Sequence, residues 1–570
     1  MNYFALSFVT LLIGVVASPA LAQIEGPTPN SPDLIQPNIE PLPPVEPLPP
    51  LEDLLPETTQ PTPPVPEDIP GTIRVDEFEV VGNTVFSEAE LDEMLARFTQ
   101  TEISFAELLQ VAEVLTAEYE ERGYITSGAF IPADQSISRE NRVVRVQAIE
   151  GVVEEINIEG LNRLNADYIR DRIALASRPP LNRDRLLNSL QLLQLDPLVG
   201  SLSVNLSAGT RPGQSILDIE ATEADATNFT FMVDNQRSPS VGTMRRVARF
   251  THNNFLGYGD RFSVGYVNTD GSNTLDGLSY TIPLNARNGT LRFTHSRGRN
   301  NIIEEPFNIL DIFSDSTTYQ LTYRQPLYQT VQEDLAVGLT ASWQESQSFL
   351  GLDNIGPFPL SAGAENDGKT TVTALRFFQE YSRRTDNDVF ALRSQFSLGL
   401  DALSATVNEG DTPDSQFFSW RLQAQYLRLL APDTILLLRS DLQLADQSLL
   451  PFEQFAIGGL STVRGYRQDF RIADNGMFAS VEVRIPVARL PEWDALVQVA
   501  PFFDIGTVWN TGNLNLDSPT TLSSVGVGLR FRMGSRLSAQ LDWGIPLVEV
   551  DSSSNTLQED GLYFSIEYRI

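Results

Sequence analysis

The chain has 570 residues, no cysteine, only two histidines and a formal net charge of −34. This length exceeds that of a usual soluble domain, so several domains or one large closed structure with appendages are expected. The charge disfavours nucleic-acid binding. The lack of cysteine excludes thiol chemistry, and His252 and His295 alone give us no reason to expect an enzyme, a metal site or a cofactor.

The first 70 residues divide into a signal-like segment and a proline-rich segment. Residues 1–22 resemble a secretory signal peptide, because a short apolar run ends in Ala20-Leu21-Ala22, the small-x-small pattern before a cleavage site. Residues 23–70 are rich in Pro and acidic residues, which predicts an extended linker, with a partner-recognition segment as the alternative. The prolines leave only residues 51–55 free to form a helical plug.

Residues 71–150 and 151–224 repeat one pattern of short strands and amphipathic helices. Each copy begins with an alternating strand that ends at a glycine, Gly82 in the first and Gly160 in the second. A helix with apolar residues at helical spacing follows, and in the first copy Ser104 and Glu107 predict its capping box. The predicted core positions are Leu108, Ala112, Leu115 and Tyr119 in the first copy and Leu186, Leu190 and Leu193 in the second.

From residue 225 to residue 570, strand-length segments alternate apolar and polar residues between turns rich in Gly, Asn, Asp and Pro. Periodicity alone cannot separate a soluble sandwich from a barrel in lipid. The export signal and the aromatic residues near segment ends favour the barrel. At roughly 21 residues per strand and connection, about sixteen strands fit. We therefore predict a transmembrane β-barrel of about 16 antiparallel strands, preceded by two small α+β modules.

A glycine-flanked arginine at residues 458–470 predicts a loop that folds into the barrel. Arg464 could fork its guanidinium onto a wall carboxylate, which a lysine could not do. Asp504 follows about 40 residues later on an alternating strand that turns it inward. The alternative is a hairpin loop with a solvated arginine. The candidate site residues are Val463, Arg464, Gly465, Tyr466, Phe503, Asp504 and Gly506.

Several motifs then identify a family resemblance. The order of segments resembles that of the two-partner-secretion transporters, the TpsB branch of the superfamily whose barrels carry periplasmic POTRA domains. The resemblance covers most of residues 71–570. Its local matches are Arg122-Gly123-Tyr124 with Pro132, Glu150-Gly151, Asp234-Asn235 with Gly242, Asn254-Phe255-Leu256-Gly257 with Gly259-Asp260, Tyr280-Thr281-Ile282-Pro283-Leu284, Val463-Arg464-Gly465-Tyr466, and Phe503-Asp504 with Gly506.

The resemblance implies an outer-membrane pore that secretes a specific unfolded exoprotein, similar to a haemolysin or an adhesin, from the periplasm to the cell surface without ATP. The two POTRA modules would bind this partner, the barrel would sit in outer-membrane lipid as a monomer, and the loop at residues 458–470 would act as a latch through Arg464 and Asp504. Two alternatives stay open. One is an assembly factor of the same superfamily that inserts other barrels, and the other is a passive porin.

Overall fold

The computed structural model describes the backbone of two short amino-terminal strands and most of the chain after them. The two strands, β1 (Ser7–Leu11) and β2 (Leu34–Asn38), pair antiparallel. The predicted signal peptide and linker, including the possible plug at residues 51–55, otherwise lie outside the described residues. The chain forms two compact units, one of them Val45–Asp225 and the other containing Ala226–Ile570. Described in full are residues 72–133, 135, 142–512, 516, 519–550 and 556–570.

The first α+β module has a three-stranded sheet covered by helices. Its elements are β3 (Thr72–Val75), β4 (Glu77–Val81), α1 (Glu88–Leu95), β5 (Thr101–Ser104), α2 (Phe105–Glu121), β6 (Gly128–Phe130) and β7 (Val143–Ile149). The central β7 pairs parallel with β4 and antiparallel with β6, while β3 and β5 form a separate pair. The predicted capping box opens α2, since the Glu107 carboxylate accepts the Ser104 N–H at 2.7 Å. The predicted apolar stripe of α2 is buried.

The second module repeats this arrangement. Its elements are β8 (Val152–Glu159), α3 (Ala166–Ala176), α4 (Arg183–Gln194), β9 (Val199–Ala208) and β10 (Gln214–Glu223). The central β10 pairs parallel with β8 and antiparallel with β9. Leu186, Leu190 and Leu193 of α4 are buried in its core, as predicted. None of the helices in the described ranges is long and apolar enough to cross a membrane.

The glycine that follows β4 in the first module has the same role as the glycine that follows β8 in the second. Gly82 has φ +90° and Gly160 has φ +88°, a backbone conformation that a side chain would strain. A Cβ at Gly82 would lie 2.6 Å from the Ala148 carbonyl oxygen, and one at Gly160 would lie 2.5 Å from that of Ala221. Glycine therefore permits both the turn and the close approach of the central strand.

A carboxylate two residues beyond that carbonyl fixes the turn in each module. Glu223 accepts the backbone N–H groups of residues 162, 163 and 164 at 2.6–2.8 Å. Glu150 accepts the N–H of Thr84 at 2.5 Å and that of Val85 at 3.2 Å. Glu150 and Glu223 therefore occupy equivalent positions in the two modules. The repeated strand pattern in the sequence did not reveal this equivalence.

The rest of the chain closes into an antiparallel barrel. Each long strand pairs with the next, and the last returns to the first, so sixteen strands form the wall and the predicted fold class is confirmed. The two-residue β18 pairs antiparallel with the end of β17, and β23 pairs with β24. The strands are β11 (Thr227–Asp234), β12 (Arg245–Asn253), β13 (Arg261–Asn268), β14 (Ser272–Pro283), β15 (Thr290–Asn301), β16 (Ile312–Gln329), β17 (Glu333–Leu350), β18 (Gly356–Pro357), β19 (Lys369–Arg384), β20 (Asp388–Leu400), β21 (Phe418–Ala431), β22 (Thr434–Ala445), β23 (Phe455–Ile457), β24 (Arg471–Ala473), β25 (Asn475–Leu490), β26 (Ala495–Trp509), β27 (Thr521–Met533), β28 (Leu537–Pro546) and β29 (Leu562–Arg569).

The barrel is apolar outside and polar inside. On β26, Phe503 and Ile505 are 41% and 40% exposed, whereas Asp504 between them is fully buried. On β27, Val525, Val527 and Leu529 are exposed in the same way. A soluble sandwich would bury these apolar residues, so the observed faces are those of a barrel with a lipid-facing exterior.

The connections between strands differ at the two ends of the barrel. At one end the turns are short and include residues 330–332, 385–387, 432–433, 491–494 and 534–536. At the other end the loops include residues 302–311, 351–368, 401–417 and 446–474. Short turns at one end and long loops at the other are typical of outer-membrane barrels. The long connection at residues 446–474 joins β22 to β25 and carries the predicted site.

Candidate functional site

Residues 446–474, which we call the pore loop, form a hairpin inside the barrel. The strands β23 and β24 pair at its base, so the inward-folded element extends beyond the predicted residues 458–470. The tip presses against the wall, because Gly465 has φ +97° and its α-carbon faces the backbone of Gly544 on β28. The apolar residues Val463 and Phe455 are buried in one cluster with residues of the wall.

Arg464 and Asp504 meet in the geometry predicted for a forked guanidinium. Nε of Arg464 lies 2.7 Å from Oδ2 of Asp504, and Nη2 lies 2.9 Å from Oδ1. The backbone N–H of Arg464 also donates to Oδ2 at 3.2 Å. Arg464 is 1% exposed and Asp504 is 0% exposed. Charge-assisted bonds of this kind are strongest where water is excluded.

Four further side chains contact the arginine, and sequence reasoning did not assign them to the site. One is Ser480, whose Oγ lies 3.4 Å from Nη2 of Arg464. Nη1 of Arg464 donates to Glu482 at 2.6 Å and to Asp542 at 3.2 Å. The guanidinium carbon lies 3.4 Å from the ring centroid of Phe502, a cation–π contact. Both carboxylates occupy the polar face of an alternating strand, and this was the only signal in the sequence that could have pointed to them.

Two more arginines pair with the carboxylates that surround Arg464. Arg530 donates to Asp542 at 2.7 Å and to Glu482 at 3.1 Å. Arg484 donates to Glu482 at 2.7 Å. Together with Arg464 they set three cations against three buried carboxylates. Burial of so many charges is tolerated because each is paired and hydrogen-bonded.

Tyr466 and Gly465 fasten the tip through hydrogen bonds. The Tyr466 hydroxyl lies 2.8 Å from the carbonyl oxygen of Ser523, to which it donates, and accepts the N–H of Val548 at 3.2 Å. The N–H of Gly465 donates to the Tyr563 hydroxyl at 3.1 Å, and this hydroxyl donates to the carbonyl of Tyr466. The tip is therefore held by hydrogen bonds between tyrosine hydroxyls and main-chain groups as well as by charge.

The remaining predicted residues divide between the two faces of β26. Gly506 faces the loop, and a Cβ there would lie 3.0 Å from Cγ2 of Val463 and from that of Ile457. Phe503 faces outward and is 41% exposed, so it does not contact the loop. The structure thus brings together six of the seven predicted residues and leaves Phe503 on the lipid-facing surface.

Ion pairs also hold the parts of the pore loop that lie outside its tip. Arg467 forms a two-point pair with Glu304 of the loop at residues 302–311, with distances of 2.8 and 2.9 Å. Glu453 near the base pairs with Arg376 of β19 at 2.7 Å. One contact lies on the connection 302–311 and the other on β19, so the loop is tied to more of the barrel than β25 to β28.

The histidines and carboxylates of the described ranges suggest no other chemistry. Across those residues, no group of three His, Cys, Asp or Glu side chains could hold a metal ion. His252 lies on β12, and His295 lies on β15, where it stacks on Tyr319 with ring centroids 4.6 Å apart. The site is a pore loop held inside the barrel by ion pairs with the wall.

Comparison with known proteins places the chain in a family. The model for the haemolysin secretion/activation proteins ShlB/FhaC/HecB matches residues 213–531, and that for the ShlB-type POTRA domain matches residues 73–151. The outer membrane transporter CdiB of Escherichia coli is 24% identical over 511 residues, 86% of this chain and 82% of that protein. The heme/hemopexin transporter protein HuxB of Haemophilus influenzae is 22% identical over 473 residues, 78% of each chain.

Solved structures agree with the fold. The structure of CdiB from Escherichia coli has a TM-score of 0.68 at 21% identity and covers 92% of this chain and 94% of its own. The first family model spans more than half of the chain, so the predicted resemblance is confirmed. The chain belongs to the ShlB/FhaC/HecB family and is a two-partner-secretion transporter, an outer-membrane β-barrel with periplasmic POTRA domains that translocates a specific exoprotein and is not an enzyme.

Proposed function

We propose that the pore loop is the gate of the translocation path. In the resting state Arg464 locks the loop in the lumen, and the unfolded exoprotein passes when the loop withdraws. The observation that carries this proposal is the burial of Arg464 between Asp504, Glu482 and Asp542 on the inner wall. A cation held by three carboxylates fixes the loop in one place, and its release is a discrete event.

The two modules capture the exoprotein before it reaches the barrel. We assign them to residues 71–150 and 151–224, after a signal peptide at residues 1–22 and a linker at residues 23–70, with the barrel from residue 225. The sheets end in the edge strands β4 and β6 in the first module and β8 and β9 in the second. An extended peptide can add to such an edge through main-chain hydrogen bonds.

Passage needs no ATP in this mechanism. Folding of the exoprotein outside the cell makes its return unfavourable and so drives net export. The barrel works as a monomer, since one copy encloses the complete lumen. The name of one relative, the heme/hemopexin transporter protein HuxB, refers to heme and hemopexin, whereas CdiB is named only as an outer membrane transporter. The partner is a secreted haemolysin-like or adhesin-like protein.

Replacement of Arg464 or Asp504 by Ala tests the gate. Each variant should insert as a barrel, show more frequent open events in planar lipid bilayers and secrete less exoprotein, because the loop no longer returns to one seat. Arg489→Ala is the matched control, since Arg489 pairs with Asp433 at a short turn away from the loop. Wild-type conductance and secretion in both variants would contradict the proposed gate.

Depletion of the protein separates secretion from barrel assembly. Loss of one large surface or secreted protein from the proteome supports a dedicated transporter. Broad loss of outer-membrane proteins would instead favour an assembly factor of the same superfamily. A passive porin would show steady conductance with no affinity between the modules and any exoprotein segment.

A further inference from the structure

A fourth arginine lies beside the Arg464 pocket on the inner face of β22. Arg439 pairs in register with Ser480 of β25, which in turn pairs with Asp504 of β26. The three residues therefore stand at one level of the wall, and Arg439 and Asp504 are two strand spacings apart, about 10 Å. At that separation the charges of Arg439 and Asp504 attract each other.

Arg439 has no carboxylate partner among the residues that the structure describes. Its Nη1 donates to the carbonyl of Ser461 in the pore loop at 3.5 Å, and its guanidinium carbon lies 5.7 Å from the ring centroid of Phe478. Its Nε is buried without an acceptor. A buried donor on a charged group is costly to leave unsatisfied, so this side chain is better suited to a second state in which an acceptor is available.

Withdrawal of the pore loop creates such a state. With the loop seated, three arginines balance three carboxylates. When the loop leaves, the wall keeps all three carboxylates but only two of the arginines, and an uncompensated buried charge is strongly unfavourable. The charges of the seated state are Arg464, Arg484 and Arg530 against Asp504, Glu482 and Asp542.

We propose that Arg439 replaces Arg464 as the counter-ion of Asp504 when the pore loop leaves the lumen. The inference rests on the proposed gate and adds a residue that makes the open state accessible. Departure of the loop also removes the Ser461 carbonyl, so the Arg439 guanidinium is released just as Asp504 loses its cationic partner and keeps only the hydrogen bond from the Ser480 hydroxyl. An arginine side chain is long enough to reach a carboxylate across one intervening strand.

A cysteine reporter can follow the loop, because the chain contains no cysteine of its own. In a Ser461→Cys background of the full-length protein, we measure maleimide labelling in vesicles and open events in planar bilayers. Arg439→Gln should slow both by about tenfold, since the carboxylates are then uncompensated in the open state. Arg439→Lys should restore part of the rate, and Arg489→Gln should not change it. Unchanged or faster labelling in Arg439→Gln would overturn the proposal.

A double substitution distinguishes this proposal from the gate itself. Arg439→Gln alone should leave the unfolding temperature unchanged or raise it, because it removes a cation beside Arg464. In an Arg464→Ala background the same change should lower the unfolding temperature, and an equal effect in both backgrounds would refute the counter-ion role. If Arg464→Ala does not speed labelling, the proposed gate is contradicted. The effect of Arg439→Gln on the unfolding temperature in the two backgrounds still tests the role of Arg439. Should Arg464→Ala not fold, Asp504→Asn replaces it, and there Arg439→Gln should have no further effect on labelling.

Discussion

At the scale of single residues, the gate depends on an arginine that is almost fully buried and still charged. Removal of such a charge from water is expensive, and good geometry with several carboxylates is needed to offset it. Arg464 meets this need with four side-chain hydrogen bonds to Asp504, Glu482 and Asp542 at 2.6–3.2 Å. A lysine has one charged nitrogen and could not reach all three carboxylates.

Gly544 of β28 should be as important as the charged residues for holding the pore loop inside the barrel. A Cβ there would lie 2.5 Å from the backbone nitrogen of Gly465 and 2.7 Å from the carbonyl carbon of Arg464, atoms that cannot move without moving the loop. We expect Gly544→Ala to cost the seated state about 1–3 kcal/mol. It should raise open-channel frequency in planar bilayers without any change of charge.

Gly410→Ala is the control for this prediction. Gly410 has φ +72° and open space around it, so the substitution strains the backbone but touches nothing within 4 Å. Equal conductance of Gly544→Ala and wild type would show that the loop does not need this close approach to the wall.

At the scale of elements, the two POTRA modules use one design. A glycine turn follows β4 in one module and β8 in the other, and a glutamate at the end of the central strand accepts the N–H groups that follow the turn. Two features fix the turn in each module. There is no room for a side chain at the glycine, Gly82 or Gly160, and a carboxylate, that of Glu150 or Glu223, accepts the N–H groups of the turn. Sheet and helix are joined at the same point in both modules.

Protonation of Glu223 should weaken the second module. Burial raises the pKa of this carboxyl, but the backbone N–H groups of Leu164, Arg163 and Asn162 outweigh it and lower the pKa below its ordinary value. A lowered folded-state pKa means that the stabilisation is complete above the unfolded value of about 4.3 and is lost as the pH falls through the folded value. Glu223→Gln should cost about 1–2 kcal/mol at pH 7.

The measurement is thermal unfolding of a fragment of residues 72–225, followed by circular dichroism between pH 7 and pH 3. Glu223→Gln should have a lower unfolding temperature at pH 7 and a smaller loss on acidification than wild type. Glu155→Gln, a change at an exposed position of β8, serves as the control. If wild type and Glu223→Gln lost stability in parallel on acidification, Glu223 would not be the titrating group.

At the scale of the whole molecule, the barrel carries its charges inward. Although the chain has a formal charge of −34, the lumen wall is built from paired charges of both signs. Arg324 joins Asp334 and Glu380 at 2.7 and 2.8 Å, and Arg421 joins Asp441 at 2.7 Å. Such pairs link neighbouring strands inside and leave the exterior free for lipid contact.

The inward and outward faces should therefore respond differently to a new charge. Val527→Arg places a cation on the exterior of β27, where Val527 is 41% exposed, and should cost about 2–4 kcal/mol if the position lies near the bilayer midplane. Thr322→Arg on the inner face, where Thr322 bonds to Thr340, should cost less. Urea unfolding in lipid vesicles, followed by tryptophan fluorescence, measures both. Equal costs would contradict the assignment of faces.

The sequence by itself determined the local structure and one long-range pair. Period-two alternation defined the barrel strands, helical spacing and a capping box defined α2, and the repeat of a strand ending at glycine defined two modules, because these signals are carried by neighbouring residues. Arg464 and Asp504 could be paired because a loop arginine and an inward carboxylate are complementary, and their atoms do lie within hydrogen-bond distance. The family motifs supplied the order of the parts.

Only the tertiary structure decided which other side chains share the pocket. Glu482, Asp542 and Arg439 lie on β25, β28 and β22, and nothing in their spacing along the chain says that they converge. They meet because strand register and barrel closure bring particular residues to one level of the wall. The same holds for Gly544, whose lack of a side chain matters only once the loop rests against it. Local periodicity fixes which way a residue faces, and closure fixes which residues it faces.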